Sequence, residues 1–270
     1  MSATPFDYFH HLVTVPVVAG DAATRFVFDS GIGLTLLSES FAATIGCGPT
    51  GDSFTGRRMS GQEVTIPLGS LDALEFGTAR RERIDVGLLD TSAFRPGFEE
   101  LGGFLSLAFF EDTPVTVDYP AGTVVLEDEE SLAARAASGT VLDVHVERTG
   151  PAIDVYLPFD VAGQRALSLE VDMGSDSLIL DERFAPLLGV DLDGESVRRV
   201  DGEDETGHTY IRTFATLTGA VHPTGAPGLA QIDPAVMFQK IIHDGLVGDS
   251  FLRNFAVTYD VANARMIFGS

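Results

Sequence analysis

One stretch of the sequence decides the fold, Arg25-Phe26-Val27-Phe28-Asp29-Ser30-Gly31-Ile32-Gly33-Leu34-Thr35-Leu36-Leu37. It places a single acid, Asp29, between two apolar runs and in front of small residues. An ionised carboxylate is costly to bury unless another group pairs with it or shares its proton. The stretch therefore predicts a partner for Asp29 elsewhere in the chain.

A second stretch of the same construction follows in the other half of the chain, Leu167-Ser168-Leu169-Glu170-Val171-Asp172-Met173-Gly174-Ser175-Asp176-Ser177-Leu178-Ile179-Leu180. The spacing to later glycines also repeats, since Asp29 lies 74 residues before Gly103 and Asp172 lies 73 residues before Gly245. A lone acid before a glycine is a weak signal, whereas two acids at the same point of two similar halves indicate an internal duplication. The repeat therefore predicts that Asp172 is the partner of Asp29.

The composition indicates a globular protein made of many short strands. The chain has 270 residues, 44% of them hydrophobic and 21% charged, with 29 glycines and 13 prolines among short apolar runs. We expect a mostly β protein with a few short helices, including a strand over Tyr8 to Val18 and a helix from Ser38 to Gly46. Ser60-Gly61 predicts a hairpin turn between two extended arms.

The formal net charge of −23 argues against nucleic acid or an anionic membrane surface as a partner. The first residues contain neither a basic segment nor an apolar signal core, and no apolar run reaches the roughly 18–20 residues that span a bilayer. The sequence therefore predicts a soluble, cytoplasmic monomer, with a processed secreted form as the alternative. The histidines show no metal-ligand spacing, so neither a metal nor a cofactor is expected.

Two carboxyl groups that meet at a two-fold axis cannot both ionise cheaply, so one keeps a proton and the other loses it. Such a pair can hold one water, take a proton from it as it attacks a carbonyl, and donate a proton to the leaving group. Neither a metal nor a covalent intermediate is needed. We expect Gly31 and Gly174 to allow the tight turns that point both carboxyl groups into a cleft.

The sequence resembles the pepsin-like and retropepsin-like aspartic proteases. The residues that carry the resemblance are Asp29-Ser30-Gly31, Asp172-Met173-Gly174, Leu246-Val247-Gly248 and the run from Gly248 to Arg265. The resemblance implies an all-β, bilobal, pepsin-like acid protease fold with pseudo-two-fold symmetry. It also implies an N-terminal lobe over residues 1–130, a linker over 131–140 and a C-terminal lobe over 141–270.

The same resemblance assigns roles to individual residues. Asp29 and Asp172 are the expected catalytic pair. The expected supporting loop residues are Ser30, Gly31, Met173, Gly174 and Ser175. A flap hairpin over Arg57 to Ile66 and one further acid are expected to contact substrate, through Met59, Ser60, Gly61 and Asp176. A counterpart of the flap is expected near Arg198 to Ile211, around Asp201-Gly202.

The implied function is an aspartic endopeptidase acting on a peptide or protein substrate. The family has Thr or Ser between the acid and the glycine, where the hydroxyl group braces the two loops against each other. Ser30 keeps that hydroxyl and Met173 lacks it. This difference motivates a second hypothesis, a pseudoprotease that binds peptides without cleaving them. A purely structural double barrel is the third, with Asp29 and Asp172 as turn-capping acids.

Overall fold

The protein is built almost entirely from short β-strands. The computed structural model describes residues 2–94, 96–203 and 207–269. The strands of the first half are β1 (Ser2–Pro5), β2 (Asp7–Phe9), β3 (Leu12–Ala19), β4 (Ala22–Phe28), β5 (Leu36–Ser38), β6 (Pro49–Arg57), β7 (Glu63–Phe76), β8 (Ala79–Leu89), β9 (Gly103–Leu105), β10 (Val115–Asp118) and β11 (Thr123–Leu126). The strands of the second half are β12 (Thr140–Asp143), β13 (His145–Thr149), β14 (Ala152–Val161), β15 (Gln164–Val171), β16 (Leu178–Asp181), β17 (Arg198–Glu203), β18 (Thr209–Thr216), β19 (Ala220–Pro223), β20 (Gln231–Ile232), β21 (Ala235–Gln239), β22 (Gly245–Val247), β23 (Ala256–Asp260) and β24 (Arg265–Gly269).

The helices are few and short, as predicted. They are α1 (Glu39–Thr44), α2 (Glu129–Ser138) and α3 (Asp249–Leu252), with 3₁₀ turns at Phe98–Glu100, Leu107–Phe110, Glu182–Phe184, Pro186–Leu188, Pro227–Leu229 and Val261–Asn263. The hydroxyl group of Ser38 accepts a hydrogen bond from the amide of Phe41 and so caps α1, because the first amides of a helix have no partner within it. The prediction of a mostly β protein with a few short helices is confirmed. In the described part of the chain, no helix is long and apolar enough to cross a membrane.

The strands of residues 7–105 form one eight-stranded sheet, and those of residues 145–247 form a ten-stranded sheet. In the first sheet, β9 lies between β4 and β5, parallel to β4 and antiparallel to β5. In the second sheet, β22 lies between β15 and β16 with the same directions. Asp29 follows β4 and Asp172 follows β15, so each acid leaves the same kind of three-strand crossing.

Gly103 and Gly245 mark this crossing in both sheets. A side-chain atom on Gly103 would collide with the backbone carbonyl of Leu36, and one on Gly245 with that of Ile179. The two pairs of strands can therefore approach only because both positions lack a side chain. The repeated spacing from acid to glycine thus has a physical cause.

A third sheet joins the two ends of the chain. Its six strands run in the order β1-β11-β10-β23-β24-β12, with three strands from each half. At the centre, β10 pairs antiparallel with β23, and the hydroxyl groups of Thr116 and Thr258 meet at 2.7 Å. These two threonines are 142 residues apart, which is the offset of the repeat.

Helix α2 fills most of the predicted linker. Asp128 and Ser131 cap its start reciprocally, and Arg135 binds the buried carboxylate of Glu127 at 2.5 Å. Glu127 in turn accepts a hydrogen bond from Thr116. The segment between the halves is therefore tied to the central sheet, while the bilobal arrangement and its boundaries at 131 and 140 stay predictions.

Two hairpins differ from expectation in detail. The strand predicted over Tyr8 to Val18 is broken by a two-residue turn, with His10 at φ 57° and Phe9 opposite Leu12. Apolar alternation on both sides of so short a turn reads as one strand, which explains the error. The expected counterpart of the flap is the β17–β18 hairpin, in which Asp201-Gly202 lies within β17. Residues 204–206 of this hairpin lie outside the described residues.

Candidate active site

The loops that follow β4 and β15 bring Asp29 and Asp172 together. Asp29 is buried, and its carboxyl group is in hydrogen-bonding contact with that of Asp172. The amide of Gly31 donates to Oδ1 of Asp29 at 2.9 Å, and the amide of Gly174 donates to Oδ1 of Asp172 at 2.8 Å. The two acids therefore form one site, which we call the carboxyl pair.

The glycine after each acid is required by close approach rather than by a tight turn. Neither Gly31 nor Gly174 has a positive φ. A side chain on Gly31 would collide with Oδ1 of Asp172, and one on Gly174 would lie 2.5 Å from Oδ2 of Asp29. Each glycine thus makes room for the acid of the opposite loop, which corrects the expectation that these residues serve turn geometry.

Ser30 joins the two loops with its hydroxyl group. It donates to the carbonyl of Val171 at 2.6 Å and accepts from the amide of Met173 at 3.0 Å. Met173 has no hydroxyl group to return these bonds. Its side chain is 2% exposed and packs into the main hydrophobic core instead. One half of the brace is therefore hydrogen-bonded and the other half is apolar packing.

The environments of the two carboxyl groups differ. The hydroxyl group of Ser175 donates to Oδ2 of Asp172 at 2.6 Å, which favours the ionised form of that acid. The first loop has Ile32 at the matching position, so Asp29 lacks a hydroxyl donor of this kind. Burial, and then the charge of Asp172, raise the pKa of Asp29 to about 8. The shared proton therefore resides on Asp29, and Asp172 carries the charge.

The predicted flap residues form the tip of the β6–β7 hairpin. The amide of Gly61 donates to the carbonyl of Arg58, and Gly61 has φ 84°, which suits the turn. The tip reaches the second half, where the amide of Ile242 donates to the carbonyl of Met59 at 2.9 Å. The Met59 side chain packs against a small apolar cluster in that half, of Ile179, Met237, Ile241 and Leu246. Ser60 lies within the same tip turn.

Asp176 stands apart from the carboxyl pair in its printed contacts. It is exposed, and its carboxylate accepts a hydrogen bond from the hydroxyl group of Ser177 at 2.9 Å. Its backbone carbonyl accepts from the amide of Ser250. The substrate-binding role assigned to Asp176 stays a prediction.

Three residues at the site were not identified from the sequence. His11 lies within hydrogen-bonding distance of the carbonyl of Gly174, at 2.9 Å from its Nε2. Tyr259 is buried, and burial followed by the charges of the carboxyl pair raises the pKa of its phenol. Glu170 is buried two residues before Asp172. Strand alternation could have identified Glu170, because residues two apart share a face, whereas His11 required the turn that the sequence concealed.

The residues present do not assemble a metal centre. In residues 2–94, 96–203 and 207–269, no group of three or more His, Cys, Asp or Glu side chains is arranged to hold a metal ion. What the arrangement offers is a proton donor beside a proton acceptor, both in contact and both held by backbone amides. Such a pair is suited to general acid–base chemistry on a bound water.

Comparison with known proteins agrees with this chemistry. Residues 15–103 match the model of a family described as aspartyl protease. The matched segment covers about a third of the chain and includes Asp29-Ser30-Gly31 and the flap hairpin. A search of curated proteins found no match to the chain. The family match supports a protease-type function, that of a peptidase and therefore a hydrolase.

Proposed function

We propose that the protein is an aspartic endopeptidase whose two catalytic acids are Asp29 and Asp172. The observation that carries the proposal is the contact between the two carboxyl groups across loops from opposite halves of the chain. The reciprocal packing of Gly31 and Gly174 supports it, because each loop is shaped around the acid of the other. Structural capping acids would not require that mutual fit.

The environments of the two acids assign their roles. Asp172, ionised and bonded to Ser175 and to the amide of Gly174, takes a proton from a water as that water attacks the peptide carbonyl. Asp29, which holds the shared proton, donates it to the developing oxyanion. The proton gained by Asp172 then passes to the departing amine, and the pair returns to its starting state. The substrate is a peptide or protein that lies beneath the flap tip.

A second candidate, a peptide-binding pseudoprotease, is favoured by one observation. Met173 supplies no hydrogen bond to the opposite loop, so the Asp172 loop is held by Ser30 and by packing alone. A catalytic group displaced by about 1 Å can cost on the order of 10²-fold in rate. A site with that displacement would keep its cleft and bind peptide while losing turnover.

A cleavage screen separates the two candidates. A mixture of denatured proteins is incubated with the protein at pH values from 3 to 8, on the order of a unit apart across the range in which carboxyl groups titrate. New peptides are counted by mass spectrometry. The endopeptidase predicts products with the wild type and with Asp21→Asn, which removes an exposed acid from a turn, and none with Asp29→Asn or Asp172→Asn.

The fold of each variant is checked by circular dichroism. Products formed undiminished by Asp29→Asn would end the proposal. Peptide binding by the wild type without any products would favour the pseudoprotease. Failure to bind or cleave any peptide would leave the structural double barrel.

A further inference from the structure

A row of acidic side chains leads away from the carboxyl pair along one face of the second sheet. Glu170 lies two residues before Asp172 at the end of β15, so both project from the same face. Tyr156 of β14 pairs with Glu170, and Asp154 lies two residues from Tyr156. Glu147 of β13 pairs with Asp154. Because directly paired residues share a face, we define Glu170, Asp154 and Glu147 as the acidic row.

The acidic row begins deep in the protein and ends in solvent. The side chain of Glu170 is 9% exposed, Asp154 is half-buried and Glu147 is exposed. The charges of Asp172 and Asp29 both act on Glu170, which places the inner end of the row beside the carboxyl pair. The row therefore connects the candidate active site to the protein surface.

The acidic row lacks a cationic partner within the described residues. No Arg or Lys there forms an ion pair with any of its three carboxyl groups, and Glu170 receives no hydrogen bond. Its nearest basic neighbour is His243, whose Nε2 lies 3.5 Å from Oε2 of Glu170. Burial lowers the pKa of His243, which keeps the ring neutral. A carboxyl group buried to nine-tenths is thus left without a countercharge, which is costly.

The matching position of the first half is apolar. Val27 lies 143 residues before Glu170 and also two residues before an acid of the pair. It is buried in a cluster with Leu34, Phe98 and Phe104. The two sides of the carboxyl pair therefore offer different surroundings to a bound peptide, one hydrocarbon and one acidic.

Resting on the proposed endopeptidase function, we propose that Glu170 is a specificity-determining residue that selects a Lys or Arg side chain next to the scissile bond. Asp154 and Glu147 extend the cationic subsite toward solvent. The residue on the other side of the scissile bond, against Val27 and its neighbours, is apolar. The preferred substrates are therefore peptides in which a basic residue and an apolar residue flank the bond that is cleaved.

The surroundings of Glu170 explain why a cation is the ligand that fits. In the empty cleft, burial and then the charges of Asp172, Asp154, Asp29 and Glu147 raise the pKa of Glu170, so it holds a proton. A guanidinium or ammonium group brings the countercharge that none of these residues provides and favours the ionised form. An anionic side chain would meet three carboxyl groups and be excluded.

The test uses two pools of synthetic dodecapeptides that are identical and randomised except at one central position. One pool has Lys at that position and the other has norleucine, which matches the Lys stem without its charge. Cleavage is mapped by mass spectrometry with the wild type, Glu170→Gln, Glu170→Val and Asp154→Asn. Glu130→Gln on α2 is the matched control, because it removes one exposed negative charge far along the chain from the acidic row.

We expect the wild type and Glu130→Gln to cleave next to Lys at least tenfold more often than next to norleucine. Glu170→Gln is expected to reduce that ratio below threefold, Glu170→Val to reverse it, and Asp154→Asn to lower it by a smaller factor. Equal cleavage of both pools by the wild type, or an unchanged ratio in Glu170→Gln, would overturn the inference. If the Glu170 variants do not fold, the ratio in Asp154→Asn decides.

Binding of the same pools to the Asp29→Asn protein separates this inference from the proposed function. Tighter binding of the Lys pool without cleavage by the wild type would refute the endopeptidase and support the cationic subsite. Cleavage by the wild type without any preference for Lys would do the reverse. Equal binding of both pools, or no binding of either, would count against the subsite.

Discussion

The backbone amide of Met173 donates a hydrogen bond of 3.0 Å to the hydroxyl group of Ser30, which lies 143 residues earlier in the chain. The same hydroxyl group donates to the carbonyl of Val171. One side chain of the first half thus satisfies two backbone groups of the second-half loop. The relationship is not reciprocated, because the residue opposite Ser30 is apolar.

Replacing Ser30 with alanine is expected to leave the amide of Met173 and the carbonyl of Val171 buried without partners. Each unsatisfied buried group costs about 1–3 kcal/mol. We therefore expect a lower free energy of unfolding in urea and a lower kcat. Ser30→Thr keeps the hydroxyl group and should restore most of both, while Ser53→Ala, at an exposed strand position, should change neither. A Ser30→Ala protein as stable as the wild type would show that the brace is unimportant.

Replacing Met173 with threonine is expected to destabilise the protein. A hydroxyl group at this position could return a hydrogen bond worth about 0.5–1.5 kcal/mol. The Met173 side chain is 2% exposed in the main core, and shortening a core Met toward Ala costs about 2–5 kcal/mol. The packing loss is larger than the gain, so the midpoint of urea denaturation should fall. Met173→Leu conserves volume and should cost less than about 1.5 kcal/mol; a stabilised Met173→Thr protein would contradict this account.

Replacing Gly174 with alanine is expected to abolish cleavage and lower stability. The added carbon would lie 2.5 Å from Oδ2 of Asp29, so the two loops must separate. Overpacking of this kind costs about 1–3 kcal/mol. Gly48→Ala is the matched control, because its added carbon has open space and its φ is ordinary. Full activity in Gly174→Ala would mean that the carboxyl groups do not need their present contact.

Activity is expected to fall as the pH rises through about 8. Asp29 must be protonated to donate to the oxyanion, and its pKa is raised to about 8 by burial and by Asp172. The measurement is kcat/KM for one peptide from pH 5 to 10, the range on either side of that value. An alkaline limb near pH 5, close to the ordinary range of a carboxyl group at about 4, would contradict the assignment of the proton to Asp29.

The same pKa makes stability depend on pH with a definite sign. Between the unfolded value of 3.8 and the folded value of about 8, the folded protein holds a proton on Asp29 that the unfolded chain has lost. The free energy of unfolding contributed by this group therefore falls as the pH rises across that window. Asp29→Asn cannot titrate, so its stability should vary less between pH 4 and 8 than that of Asp21→Asn.

The sequence predicted the parts of the fold and site that depend on local pattern and on the repeat. Short apolar runs with glycine-rich turns gave the β content, and the equal spacing of acids and glycines pointed to the pairing of Asp29 with Asp172. Ser30 could be predicted as a brace because a hydroxyl group between an acid and a glycine has few apolar uses.

The remainder depends on which distant segments meet. The close approach that requires Gly174 is a property of the opposite loop, so the residue itself suggested only turn freedom. Met173 looked like a missing hydrogen bond because its core neighbours come from both halves of the chain. The acidic row lies across three strands, and only their register places Glu147 and Asp154 in line with Glu170.

The meeting of Thr116 with Thr258 has a consequence for how this molecule could have arisen. A strand that pairs with its own repeat at the same position is compatible with pairing to an identical copy of itself. A half-length ancestor ending after α2 could have used the open edge of β10 to form a symmetric dimer, each copy contributing one acid. In such a dimer every position occurs twice, so Ser30 could not face Met173, nor Val27 mirror Glu170. Fusion into a single chain makes the second half free to mutate alone, and the asymmetry of this cleft is its result.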